Sequence, residues 1–389
     1  MNAEDPARKG QRRIAFGTYR SHRARKRKSL TIFFATVVIV AVVIGAGLLY
    51  ESPPEPLPAT AAAPADKPTE RTAALAPLNL PADDAPHGSA MEWWYYNGIL
   101  GAKTGDRYAF HMVVFVANGL IKHTVVHAAL TDLQTGKRYA NQTRTAGIPA
   151  TSVVNGYDFR NEKWQATASP SSHVLRAAFD GASIAFDLGA SGQVVAHAAP
   201  GSDTPGILDF GKSGISYYYS RPRLPAQGSI TVGGKSLQVS GDMWFDHQWG
   251  EFDVLMLGWN WFALHLADGS DLMLYQLFDM DRRNVMTAGT LSNAKGAVPF
   301  KAGEVELVPG STWTSPKTGI PYVVEWKIRL PSGDINVKPF VADSEFDSSG
   351  TSANVYWEGA VKATGSIEGQ GFLELSGYDR LSAKQAKGK

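Results

Sequence analysis

Residues 259–278 read WNWFALHLADGSDLMLYQLF. The two apolar runs have strand length, and the Asp268-Gly269 dipeptide between them fits a two-residue type I′ hairpin turn. The same pattern recurs towards both ends. MEWWYYNGIL (91–100) is followed by the turn GAKTGD and the run RYAFHMVVFV (107–116). Thr135-Gly136, Asp180-Gly181 and Gly233-Gly234 pivot three further pairs of runs. No 3.6-residue period is sustained between Met91 and Tyr378, so the expected fold is all-β and antiparallel. Two tandem barrels are favoured over sandwiches, because closure removes exposed edges and leaves room for a ligand.

The chain has 389 residues, 38 of them basic and 36 acidic, for a net charge of +2. That balance averages three unlike parts. Residues 1–29 carry ten Lys/Arg against Glu4 and Asp5, residues 51–86 are net acidic, and the rest is near neutral. A nucleic-acid partner is not expected for the folded part, since phosphate binding needs clustered excess Lys/Arg. At 44% hydrophobic, 11% aromatic and 19% charged residues the chain buries a core. Zero cysteines exclude disulfides, thiol catalysis and thiolate metal sites.

Residues 30–50, LTIFFATVVIVAVVIGAGLLY, hold no charge and as a helix would reach about 31 Å, enough to cross a bilayer. The preceding positive charges orient it N-terminus inward. The run is longer than a signal-peptide core and no small-x-small site directly follows it, which favours an anchor over a cleaved leader. The expectation is a single-pass inner-membrane protein with a periplasmic globular part. Its parts would be a basic cytoplasmic tail (1–29), an anchor (30–50) and a disordered Pro/Ala-rich linker (51–86). Two barrels (87–225 and 226–380) and a tail (381–389) would follow.

WFDHQWG (244–250) is the most chemically loaded segment. On a strand Trp244, Asp246 and Gln248 share one face, and Phe245, His247 and Trp249 the other, so Asp246 and His247 meet only through a bulge or turn. A carboxyl walled by tryptophans is driven towards its neutral form, which makes Asp246 a candidate general acid. The alternative is a buried Asp that accepts backbone hydrogen bonds. Glu92 shares a face with Trp94 and Tyr96, opposite Trp93 and Tyr95, and needs a partner such as Arg221 or Arg223. Tyr217 and Tyr219 share a face, as do Trp259 and Trp261. With Trp94, Tyr96, Trp244, Trp249 and Tyr275 they are candidates for core packing or for the wall of an apolar ligand site.

His123 and His127 would lie roughly 13 Å apart on a strand, too far to chelate together. His111 and His265 belong to no motif with metal-ligand spacing, and the chain contains no HExxH, calcium loop, GxSxG elbow or phosphate loop. No metal and no cofactor are expected.

Four blocks in order, HGSAMEWWYYNGIL (87–100), GISYYYSRPRLPAQGSI (214–230), WFDHQWG and GQGFLELSGYDR (369–380), carry a family resemblance. Together they resemble the carotenoid 1,2-hydratase (hydroxyneurosporene synthase) family and its secreted lipocalin-like, AttH-type relatives. The resemblance spans about 87–380 and implies two lipocalin-like barrels, a hydrophobic cavity and an isoprenoid, polyene or lipid ligand. It further implies alkene hydration, or cyclisation in some relatives. The matching positions are Glu92, Trp93, Trp94, Tyr218, Tyr219, Arg221, Trp244, Asp246, His247, Trp249, Glu374 and Tyr378. Of these, Trp93, Arg221, Glu374 and Tyr378 are expected to hold the architecture. The anchor and spacer depart from the hydratases proper, and the motifs fit the secreted branch better.

The functional expectation is acid-initiated addition to an apolar alkene, with Asp246 as the acid, Glu92 as the alternative and His247 as a further candidate. The rival is a non-catalytic periplasmic carrier of hydrophobic ligands that serves an envelope transporter.

Overall fold

The computed structural model describes Thr72 and residues 75–387, apart from 119–120, 148–152, 154 and 190–192. These residues belong to one compact unit, Pro56–Lys389. The basic tail, the segment 30–50 and most of the linker lie outside the described residues. Among the described residues no helix is long and apolar enough to cross a membrane.

The strands assemble into two curled antiparallel half-barrels. In the first, β1 (Met91–Ala102), β2 (Arg107–Asn118), β3 (Lys122–Asp132) and β4 (Arg138–Ala146) form one meander. A second meander comprises β5 (Tyr157–Arg160), β6 (Trp164–Ser169), β7 (Ser172–Phe179) and β8 (Ala182–Gly189). Short β9 (Val195–Ala196) and β10 (Ile207–Asp209) lead into the long β11 (Gly214–Val232) and β12 (Lys235–Phe252). These two join the meanders, β12 pairing with β1 and β11 with β8.

The second half-barrel starts with β13 (Leu257–Leu266), β14 (Asp271–Asp279), β15 (Asn284–Asn293) and β16 (Gly296–Pro299). It continues with β17 (Glu306–Pro309), a small ladder of β18 (Thr312–Thr314) and β19 (Pro321–Val323), then β20 (Trp326–Leu330) and β21 (Gly333–Pro339). Strands β22 (Glu345–Asp347), β23 (Val355–Gly365) and β24 (Gly369–Ser376) complete it, with β24 on β13, and helix α1 (Tyr378–Lys387) follows.

Several expectations need correction. The first sheet runs to Phe252, so the change of sheet falls at 253–256 and not at 225/226. The cause is the Gly233-Gly234 turn, with φ of 56° and 79°, which folds β12 back along β11 with Val232 opposite Lys235. Asp268-Gly269 lies in a four-residue loop, not a two-residue turn. There Asp268 Oδ1 accepts the Ser270 backbone N–H at 2.9 Å and its hydroxyl at 2.6 Å. The hydrogen-bonded path of the first sheet ends at β4 and β5, which do not pair with each other, so the sheet is curled and not a closed barrel. Edge strand β4 is instead covered from the second half: Gln142 Nε2 donates to the Asp347 carbonyl at 2.7 Å and Arg144 to the Thr351 carbonyl at 3.3 Å. The end of the linker is ordered, with Leu78 and Leu80 packed on the first core and Asp84 buried. The expected tail after residue 380 is the continuation of α1.

Three apolar cores result. One fills each half-barrel, and a third lies between them, built from residues such as Tyr95, Tyr218, Trp244, Trp261 and Phe372. Strands β1 and β12 are buried on both faces through their central residues, so their period of two feeds two different interiors.

Candidate functional site

The third core is incomplete. A cavity of about 260 Å³ lies within it, walled by Trp93, Tyr95, Phe115, Trp259, Trp261 and Tyr275. Three carboxyl groups reach the same cavity: Asp246 on β12, Glu358 on β23 and Glu374 on β24.

Asp246 is fully buried among neutral donors. Tyr218 donates to its Oδ2 at 2.7 Å, while Ser220 and Trp244 donate to Oδ1, Trp244 at 2.6 Å. Tyr218 in turn accepts the Trp261 indole N–H at 2.9 Å, which fixes its hydroxyl. Burial pushes the Asp246 carboxyl up to about 7, against the pull of those three hydrogen bonds. Among the described residues no cation contributes to offsetting the burial, so a large fraction of the group keeps its proton at pH 7.

Glu358 and Glu374 are opposite each other across β23 and β24. Tyr95 donates to Glu358 Oε1, and His111 Nδ1 lies 2.7 Å from the same oxygen. Burial lifts Glu358 to about 8, and burial followed by the Glu358 charge lifts Glu374 well above its usual range. Both carboxyls are thus driven towards their neutral forms near pH 7. Gln248 Nε2, on the cavity wall, makes no hydrogen bond of normal geometry. A buried donor in that state costs roughly 1–3 kcal/mol unless a ligand or water takes it.

The odd-numbered residues of the same segment face the interior of the first half-barrel. His247 Nε2 lies 2.9 Å from Glu92 Oε1, and His87 Nδ1 lies 2.8 Å from that same oxygen. Burial raises the Glu92 pKa, but the hydrogen bonds and charge from His247 and His87 outweigh it, and the net direction is down. Trp94 stacks on His247 at 4.6 Å and Trp249 on His87 at 4.0 Å.

The sequence-derived site therefore divides in two. Asp246, Trp259, Trp261 and Tyr275 meet at the cavity, with Trp244 bonded to Asp246 on that side. Trp94, Tyr96, Tyr219 and Trp249 belong to the first half-barrel core, with Tyr217 packed against it. His247 and Glu92 are also on that side, so neither shares a pocket with Asp246. The expected partner of Glu92 is corrected as well. Arg221 instead binds Asp84 at 2.8 Å, and Arg223 binds Asp271 at 3.0 Å. Trp93 and Glu374, expected to be architectural, line the cavity. Tyr378 is architectural: it donates to Asn260 Oδ1 at 2.7 Å inside the second core. Glu358 escaped the sequence reading, and Tyr95 and His111 were named there but not placed at the site. The available signal was one acid in the otherwise apolar run VYWEGAV. A metal was not expected, yet His87, Glu92 and His247 bring three ligand atoms within 4.8 Å of one another.

Two curled half-barrels around an aromatic-walled cavity with a high-pKa carboxyl define a lipocalin-like protein. Residues 71–378 match the AttH-like family, and the chain belongs to it. Kievitone hydratase of Fusarium solani subsp. phaseoli is 25% identical over 202 residues, 49% of this chain and 55% of that protein. The match thus spans about half the length of that relative. The crystal structure of an AttH-type protein from Nitrosomonas europaea superposes with a TM-score of 0.70 at 28% identity, covering 78% of this chain and 99% of that one. Kievitone hydratase from Nectria haematococca shares the fold, with a TM-score of 0.61 at 18% identity over 76% of this chain and 91% of that one.

Proposed function

We propose that this protein binds an isoprenoid or polyene alkene between its half-barrels and adds water across it, with Asp246 as the acid. The observation that carries this reading is a buried carboxyl on an aromatic-walled cavity, its pKa pushed up to about 7 by burial among neutral donors. The similarity to a hydratase supports the reaction class.

In the neutral form, the Asp246 proton points to the Tyr218 oxygen, and Tyr218 turns its own hydrogen to the alkene. As the C–H bond forms, the Asp246 proton passes to Tyr218, so Tyr218 ends unchanged and Asp246 becomes a carboxylate. The cation develops on the more substituted carbon, against the faces of Trp93, Trp259 and Trp261. Water held by Gln248 attacks it, and the released proton returns through Tyr218 to the Asp246 carboxylate, which resets the acid. Positioned proton transfer of this kind contributes about 10²–10⁴-fold in rate. A carrier needs only apolar walls, and three buried carboxyls would burden it, so chemistry is favoured over carriage. Incubation with isoprenoid alkenes in H₂¹⁸O tests the reading: label should appear in a tertiary alcohol with the wild type and not with Asp246→Asn. An unlabelled cyclic product would move the reaction to cyclisation.

The same proposal places residues 30–50 across the inner membrane, with the half-barrels on the periplasmic side and within reach of an envelope transporter. The ten positive charges ahead of that segment support this topology. Protease added to spheroplasts should digest the protein down to its anchor. Full protection would overturn the placement.

A further inference from the structure

The cluster in the first half-barrel brings two imidazole nitrogens onto one carboxylate oxygen. His247 Nδ1 lies 3.3 Å from the Tyr219 hydroxyl, and Tyr219 gives its only hydrogen to Asp84. In the tautomer with the ring hydrogen on Nδ1, that nitrogen donates to the Tyr219 oxygen. That leaves the Nε2 lone pair aimed at Glu92 Oε1, 2.9 Å away, lone pair against carboxylate. His87 repeats the arrangement. Its Nε2 is turned to the Asp83 carboxylate at 3.7 Å, and its Nδ1 to the same Glu92 oxygen at 2.8 Å. A cation between these atoms would satisfy both lone pairs and the carboxylate. Protons on both rings would do the same, but one of those rings is fully buried. One divalent ion satisfies all three atoms at once.

We infer that His87 Nδ1, Glu92 Oε1 and His247 Nε2 form a three-ligand site for a zinc-class divalent ion. Two imidazoles and one carboxylate suit Zn²⁺, Co²⁺ or Fe²⁺, whereas Ca²⁺ and Mg²⁺ demand oxygen ligands. Metal–ligand bonds of about 2.0–2.1 Å in a tetrahedron set ligand atoms roughly 3.3 Å apart, so the observed contacts open by about half an ångström on binding. The outer contacts are those of a metal centre. Each imidazole has its second nitrogen on an acidic chain, His87 on Asp83 and His247 on Tyr219 and then Asp84. The second carboxylate oxygen of Glu92 is held by the His87 backbone N–H at 2.8 Å. Three protein ligands leave a fourth position, and the half-buried His87 marks the side from which an ion or water enters. The ion would tie the segment before β1 to β1 and β12. It lies on the opposite face of β12 from Asp246 and does not depend on the proposed hydration.

The test is titration of the chelator-stripped full chain, in detergent, with Co²⁺ and then Zn²⁺. Co²⁺ should bind at one equivalent with the strong d–d absorption of a low-coordinate site, and Zn²⁺ should displace it and raise the melting temperature. His87→Gln lies off the strands and leaves the fold intact by circular dichroism; its Co²⁺ affinity should fall at least about 100-fold, and that of Asp83→Asn about 10-fold. No stoichiometric uptake by the wild type, or uptake unchanged in His87→Gln, overturns the site.

Discussion

Asp246 and His247 are neighbours in the chain, yet they lie in opposite electrostatic worlds. On one face of β12, Asp246 is surrounded by neutral donors and burial decides its state, so the carboxyl is pushed up to about 7. On the other, Glu92 is just as dry, but imidazoles converge on it and its pKa goes down. Desolvation is common to both. The difference lies in whether a cationic or polarised nitrogen reaches the oxygen, and the period of two along a single strand is enough to separate the cases. One face thus keeps a proton ready to give, and the other keeps a negative charge.

The largest effect that sharpens this contrast is on turnover. Asp246→Asn should lower alkene hydration by about 10²–10⁴-fold while ligand affinity, read by tryptophan fluorescence, changes little. Next comes stability against pH. The folded-state pKa of Asp246 is raised from 3.8 to about 7, so its contribution is fully present below about pH 4 and lost as the pH rises through 7. The loss amounts to about 4 kcal/mol at most, and urea denaturation of Asp246→Asn should show this slope removed. The depressed pKa of Glu92 gives the opposite sign: its contribution is present above the ordinary 4.5 and disappears as the pH falls through the folded value. Glu92→Gln should therefore flatten the acid limb and, at neutral pH, destabilise the fold by roughly 3 kcal/mol, since it strips the buried His247 and the half-buried His87 of their anion. The smallest effect belongs to Tyr218→Phe. It removes the bridge between Asp246 and the cavity, and turnover should drop about 10–100-fold with substrate affinity retained.

Much of this division was legible in WFDHQWG, because alternation alone places Asp246 and His247 on opposite faces. What alternation does not encode is which interior each face meets. The remaining cavity carboxyls arrive on β23 and β24, more than 100 residues later, through pairings that no local spacing reports. Glu92 was expected to take an arginine because burial of an acid calls for a cation. His87 wins because it is five residues away on a segment that Asp84 and Arg221 clamp beside β1. That clamp also explains why the composition of the Pro/Ala-rich stretch misled at its end: Leu78, Leu80 and Asp84 bury themselves against the first core despite their disorder-prone neighbours. The sheet boundary was misplaced for a related reason. A two-glycine turn marks a hairpin equally well within a sheet or between two, and only the pairing of β12 with β1 decides it.

The central claim is that Asp246 keeps its proton up to about pH 7. Infrared difference spectra of wild type minus Asp246→Asn, recorded from about pH 4 to pH 9, read this directly without any substrate. The account predicts a protonated-carboxyl C=O band that disappears with a midpoint near 7. Loss of that band by about pH 5, the behaviour of an ordinary carboxylate, would contradict it.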